Sequence, residues 1–190
     1  TFNKVKDNVP LVQDYNFMAD LLMLPETKEK YKYLLMIVDL ANDEFDIEPT
    51  RTKESSEVLN AMKEIFKRKY IKKPYSSIRT DDGTEFKGVF HKYLHDESIF
   101  HRIAEPYRHN QLANINGLSQ QLGRLFNGYM NSMEKQTGKK YNEWTDVIDI
   151  VRNDLNKLRK KTLPKNWKKN KYPIYSGTSE PKYKEGDLVY

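Results

Sequence analysis

The chain is 190 residues long, and its 37% hydrophobic content, with 13 Tyr, 8 Phe and 2 Trp, suffices for one domain with a core and argues against wholesale disorder. It has no Cys and four scattered His, which excludes disulfides and Cys-ligated zinc and argues against a His-built metal centre. No signal peptide and no apolar run near the roughly 18 residues of a membrane span is visible, so the expectation is an intracellular protein, not secreted and without a membrane partner, and its net charge of +6 directs attention to acidic partners.

In chain order, "YNFMADLLML" (15–24) is apolar, mostly bounded by turn signals, and predicts a buried strand. Pro25 to Lys28 reads as a turn, "YKYLLMIVDL" (31–40) as a second strand and Asn42-Asp43 as a tight turn. "EFDIEPTRT" (44–52) is a third strand, hairpinned to the second and placed at an edge by Pro49. "KESSEVLNAMKEIFKRKY" (53–70) carries Val58, Leu59, Met62, Ile65 and Phe66 at helical spacing. A fourth strand reaches Thr80, a helix passes through Phe86, Val89, Phe90, Tyr93 and Leu94, and "SIFHRIA" (98–104) is a fifth strand.

Leu112, Ile115, Leu118, Leu122, Leu125, Phe126, Tyr129 and Met133 then step by threes and fours, which predicts a long amphipathic helix. It carries Gly117 and Gly123, each about 1 kcal/mol worse than Ala in a helix. A last helix in "NEWTDVIDIVRNDLNKLRK" turns Trp144, Val147, Ile148, Val151, Leu155 and Leu158 inward. Three strands, helix, strand, helix, strand and two helices predict an α/β protein of the ribonuclease H-like fold, with a five-stranded mixed sheet flanked by helices. The expected divisions are a core over 1–160, a basic linker over 161–182 and the start of a further β-module over 183–190, as if that module had been cut off.

The basicity is one block. Residues 152–171 hold nine basic residues and one acid, a net charge of +8, which leaves −2 for the remainder. Interleaved with Trp167 and followed by Tyr172, the block suits a phosphate backbone or, alternatively, is a solvated tail.

The stretch "SIRTDDGTEF" (77–86) puts two carboxylates, Asp81 and Asp82, at the tip of a half-buried strand. Ionised carboxylates are costly to desolvate unless a cation compensates them, so this is either a solvated turn or a metal site. In a ribonuclease H-like order the first and fourth strands are neighbours, so Asp20, at or near the end of the first strand, can meet Asp81 at one end of the sheet. Carboxylate oxygens without soft ligands select Mg²⁺ or Mn²⁺, and a pair of such ions is the standard device for phosphodiester chemistry.

These residues resemble the catalytic core of retroviral-type integrases, especially those of Polinton/Maverick elements and related DNA viruses. "FMADLLMLP" resembles the family's first-aspartate strand, "YKYLLMIVDLAND" and "PTRTKESSEVLNAMKEIF" its second strand, hairpin and first helix. "RTDDGTEF" resembles the T-D-N-G-T-E-F signature, with Asp82 where Asn is usual, and "PYRHNQLANINGLSQQL" resembles the mobile loop and long catalytic helix. "KYKEGDLVY" resembles the start of the C-terminal SH3- or chromo-like module. The likeness spans nearly the whole chain, and the T-D-x-G-T-E-F block is its specific part.

The resemblance implies a Mg²⁺- or Mn²⁺-dependent DNA polynucleotidyl transferase. Water first cleaves a phosphodiester near an element end, and the freed 3′-OH then attacks target DNA in line. Asp20 and Asp81 would be the metal-holding catalytic acids. The third position, a Glu or Asp in the family, falls on Asn116, whose neutral amide supplies no charge. Ala113, Gly117 and Gln121 also depart from the family pattern, and Gln120 and Gly123 stand where DNA-touching Lys residues are frequent. Glu85 is the nearby acid that could substitute, Asp39 reads as structural, and Glu105 as solvated. For DNA contact the implied residues are Tyr107, Arg108, His109 and Gln111 of the loop, Gln120 and Arg124 of the helix, and Lys157, Arg159, Lys160, Lys161, Lys168 and Lys169 of the basic block. The loop is otherwise an ordinary polar one. The implied partners are element-end and target DNA and further copies of the chain, in the nucleus or at a site of viral replication. Two other readings stay open: a non-catalytic DNA-binding or assembly module with the integrase fold, and a ribonuclease H-like nuclease of another kind.

Overall fold

The computed structural model describes residues 12–104 and 112–160. Its sheet is built from β1 (Asn16–Met23), β2 (Tyr33–Asp39), β3 (Phe45–Thr50), β4 (Ser77–Thr80) and β5 (Phe100–Ile103), in the order β3-β2-β1-β4-β5. β1, β2 and β3 form an antiparallel meander, while β4 runs parallel to β1 and β5 parallel to β4. Helices α1 (Ser55–Lys67), α2 (Val89–Asp96), α3 (Ala113–Thr137) and α4 (Ile148–Arg159) cover it. This is the mixed, helix-flanked ribonuclease H-like sheet that the element order predicts.

Strand alternation distributes the core to two sides. Phe17 and Ala19 of β1, Leu35 and Ile37 of β2 and Ile78 of β4 pack with Val58, Met62 and Ile65 of α1 and Phe90 and Leu94 of α2. Met18 of β1 and Leu34, Met36 and Val38 of β2 pack oppositely, with Ile115, Leu118, Leu122 and Phe126 of α3, with Leu155 of α4 and with Trp144 before it. A central strand buried on both faces needs apolar residues at every position, which is why 15–24 and 31–40 read as continuous runs.

β3 is an edge strand, as Pro49 suggests, and side chains close its free edge. The Asn156 amide donates to the Phe45 carbonyl and accepts from the Phe45 N–H, both at 2.9 Å, as a neighbouring strand would. Arg152 and Arg68 donate to the Ile47 carbonyl at 2.8 and 3.0 Å. Both guanidiniums also pair with the buried Asp46. Arg152, counted by charge in the basic block, is thus a core residue.

Three expectations need correction. The helix after Asp81 is a 3₁₀ turn (Thr84–Phe86) followed by α2, separated at Gly88, whose φ of +57° favours glycine. The last helix likewise begins with a 3₁₀ turn, Trp144–Val147. Leu125 and Leu158 are 44% and 83% exposed, because apolar spacing alone does not fix the stripe's width.

Candidate active site

The β1–β4 ladder pairs Asn16 with Ser77, Phe17 with Ile78 and Met18 with Arg79. Continued two residues, the same offset sets Asp20 opposite Asp81, on neighbouring strands about 4.8 Å apart. Alternation puts both on one side. Asp20 shares the face of Met18 and Leu22, under α3, and Asp81 continues the face of Arg79. Asp20 is not at the end of β1, which runs on to Met23 against β2; β4 stops at Thr80, so Asp20 lies just beyond the parallel ladder.

Asp20 is half-buried, and its carboxylate accepts from the Leu21 N–H at 2.8 Å. Burial foremost, then the Asp81 and Glu85 carboxylates, push it up to about 6 against the Leu21 hydrogen bond. Asp81 is exposed and accepts from the Gly83 N–H at 3.1 Å. Asp82 turns away and pairs with Lys87 at 2.9 Å. Gly83 lets two acids converge: a Cβ there would lie 2.7 Å from Glu85 Cδ and 3.0 Å from Asp81 Oδ1.

A half-buried carboxylate whose proton affinity is raised by burial and by the neighbouring Asp81 and Glu85, with no soft donor beside it, fits a hard divalent cation. Among the described residues no group of three or more His, Cys, Asp or Glu is arranged to hold a metal, so Glu85 stands near without completing a triad. Asn116 sits in the first turn of α3, exposed beside the buried Ile115. Ile115 and Leu118 share a cluster with Met18 and Leu22, the residues flanking Asp20 on its own face. Gln120 and Arg124 follow Asn116 at i+4 and i+8, an exposed stripe of α3. Asp39 is buried and accepts from the Asp14 and Ala41 N–H groups, both at 2.8 Å.

The start of the basic block is engaged within the chain. Lys157 pairs with Asp154, Lys160 with Glu44, and Arg159 donates to Gln121. Tyr107, Arg108, His109, Gln111, Glu105, Lys161, Lys168 and Lys169 lie outside the described residues, as do the proposed linker and C-terminal module.

Sequence reasoning missed a groove of about 620 Å³ beside the acids, which shares Thr84 with their turn. Lys32, Arg51 and Lys53 line it with Tyr33, Thr52 and Ser55, and Glu26 and Glu54 contribute acids. The Arg51 guanidinium is anchored over the Tyr31 ring, 4.4 Å from its centroid. These cations are spread over two strand ends, so no linear run reveals them.

No family model and no curated protein matches the sequence. Solved structures do match. The HTLV-2 integrase catalytic core domain in complex with magnesium, in its trimeric form, aligns with a TM-score of 0.61 at 19% identity over 79% of this chain and 90% of that one. Its dimeric form gives 0.61 and 18% over 79% and 91%. A chain of the simian T-cell lymphotropic virus intasome in complex with PP2A regulatory subunit B56 gamma gives 0.66 and 17% over 95% of this chain and 62% of that one. The chain therefore has the ribonuclease H-like fold of retroviral integrase catalytic cores. Among the described residues no helix is long and apolar enough to cross a membrane.

Proposed function

We propose that the chain is an integrase catalytic core, a divalent-metal DNA polynucleotidyl transferase with a weakened third ligand. The observation that carries this reading is the β1–β4 register, whose offset, continued two residues past Met18 and Arg79, sets Asp20 opposite Asp81. The fold shared with the integrase cores supports it. Asp20 and Asp81 would hold one cation, and Asn116, which contributes no charge, stands where a second would need an acid. The divalent ions supply charge neutralisation at the phosphate and lower the pKa of the attacking hydroxyl. The stripe from Asn116 through Gln120 to Arg124, the groove cations, residues 107–109 and the lysines beyond 160 are the DNA-contacting groups. Element-end and target DNA are the substrates, and several copies act together at the nucleus or a site of viral replication. The Polinton/Maverick-like placement rests on the sequence motifs alone.

Asn116 favours a second reading, a DNA-binding or assembly module that keeps the fold without catalysis. Mn²⁺ affinity of the parent and of Asn116→Glu, measured beside strand transfer and DNA binding, separates the two. The first reading expects the parent chain to bind DNA, with strand transfer near background, and Asn116→Glu to raise Mn²⁺ affinity. Activity need not return with it, because Gln120 and Gly123 lack basic contacts. No change in Mn²⁺ affinity with Asn116→Glu supports the second reading. Metal-dependent cleavage that survives Asp81→Ala contradicts the site itself. Cleavage abolished by Asp81→Ala but untouched by Asn116→Ala places the third ligand elsewhere.

A further inference from the structure

Behind the site, on the α2 side of the sheet, four groups form one directed hydrogen-bond line. The buried Thr80 hydroxyl donates to the Asp81 carbonyl at 2.7 Å. A hydroxyl has one proton, so at its 2.9 Å contact with His101 Nε2 it accepts, and Nε2 must carry hydrogen. The other nitrogen of His101, Nδ1, stands 2.9 Å from Nδ1 of His91. A neutral His101 protonated at Nε2 presents a bare Nδ1, which accepts from the His91 Nδ1–H. The hydrogen bonds therefore all point one way, from His91 through His101 and Thr80 to the Asp81 carbonyl.

The surroundings keep His101 in that form. Its ring, carried by β5, is half-buried against α2 and β4, with the Phe90 ring edge-on at 5.8 Å. Burial first, then His91, lower its pKa to about 4. Asp81 needs such support: the β4–β5 ladder ends at Thr80 opposite Ile103, and the exposed acid follows it. A Zn²⁺ bridge between the two rings is a poorer account of the contact. Two Zn–N bonds of about 2.0–2.1 Å in tetrahedral geometry hold their nitrogens farther apart than a hydrogen bond does.

We propose that His101 is a positioning residue for Asp81, acting through the Thr80 hydroxyl to fix the peptide from which that carboxylate reaches the cation opposite Asp20. The inference rests on the reading of Asp20 and Asp81 as a cation site. Partners that orient a ligand are worth about 10- to 100-fold in metal affinity.

The test is Mn²⁺ affinity of the full chain, read from the paramagnetic resonance of free Mn²⁺, with folding followed by circular dichroism. His101→Phe keeps the ring volume but cannot donate, and is expected to weaken Mn²⁺ binding by about 10- to 100-fold. Thr80→Val, nearly isosteric, is expected to match it, and the double variant to be no worse than either. His101→Gln can still donate to Thr80 and is expected to restore binding. If Asp81→Asn weakens Mn²⁺ while His101→Phe and Thr80→Val bind as tightly as the parent, the positioning role is overturned. If Asp81→Asn itself changes nothing, the site reading fails, and this inference with it. Nitrogen-15 NMR of the unmutated chain needs no variant: a neutral Nε2–H tautomer at His101 is expected, and an Nδ1–H tautomer overturns the line.

Discussion

Asp20 carries the clearest electrostatic signature of the site. Its folded pKa of about 6 lies above its ordinary 3.8, so between those values the native state holds a proton that the unfolded chain has lost. Its contribution to stability is therefore greatest below the window and falls as pH rises through it. A cation at the site favours the ionised form and reverses that trend. Mn²⁺ binding should then release about half a proton near pH 6 and almost none near pH 8, seen by calorimetry in buffers of different ionisation enthalpy. Release that does not vary with pH would mean that Asp20 is not a ligand. Gly83 makes a second residue-scale prediction. Its φ of −63° is ordinary, so Gly83→Ala acts through space alone, against the movable ends of Glu85 and Asp81. Thermal stability should hardly change while Mn²⁺ affinity falls; a large loss of stability would show that the carboxylates cannot yield. The T-D-x-G-T-E-F block marks Asp81 in the sequence, but the approach of Glu85 depends on a 3₁₀ turn that apolar spacing cannot distinguish from a helix. The His101 line is equally hidden, because it joins residues from three separate elements.

At the scale of elements, α3 and α4 are held by different means. Added Cβ atoms at Gly117, Gly123 and Gly128 meet nothing within 4 Å. Replacing Gly128, which is exposed, by Ala should therefore stabilise the chain by about 1 kcal/mol through helix propensity, checked by denaturant unfolding. A loss instead would show that the close approach of a partner uses that glycine. α4 is tied to β3 by Asn156, whose amide satisfies both backbone groups of Phe45. Asn156→Ala leaves a buried donor and acceptor unpaired, and should destabilise by about 1–3 kcal/mol for each orphaned group. The strand order was legible because β1 and β2 are apolar on both faces and Pro49 marks an edge. What closes that edge was not, since Asn156 and Arg152 read as polar residues of a basic helix until the fold brings β3 beneath them.

For the whole molecule, the charge block divides into two parts. Arg152, Lys157, Arg159 and Lys160 are engaged by Asp46, Asp154, Gln121 and Glu44, whereas five lysines follow between 161 and 171. Each phosphate neutralised contributes about 0.9 to the log–log salt slope of DNA binding. Truncation after Lys160 should therefore lower both affinity and slope, while the same measurement on Lys157→Ala should change little. An unchanged slope after truncation would assign DNA binding to the core alone. The central claim is narrower, that Asp20 and Asp81 jointly hold a divalent cation. Anomalous diffraction from crystals of the chain soaked in Mn²⁺ tests it most directly. The account predicts a single peak between the two carboxylates, and a second near residue 116 only in Asn116→Glu. Saturating Mn²⁺ with no peak at Asp20 and Asp81, or a peak held by other residues, would contradict it.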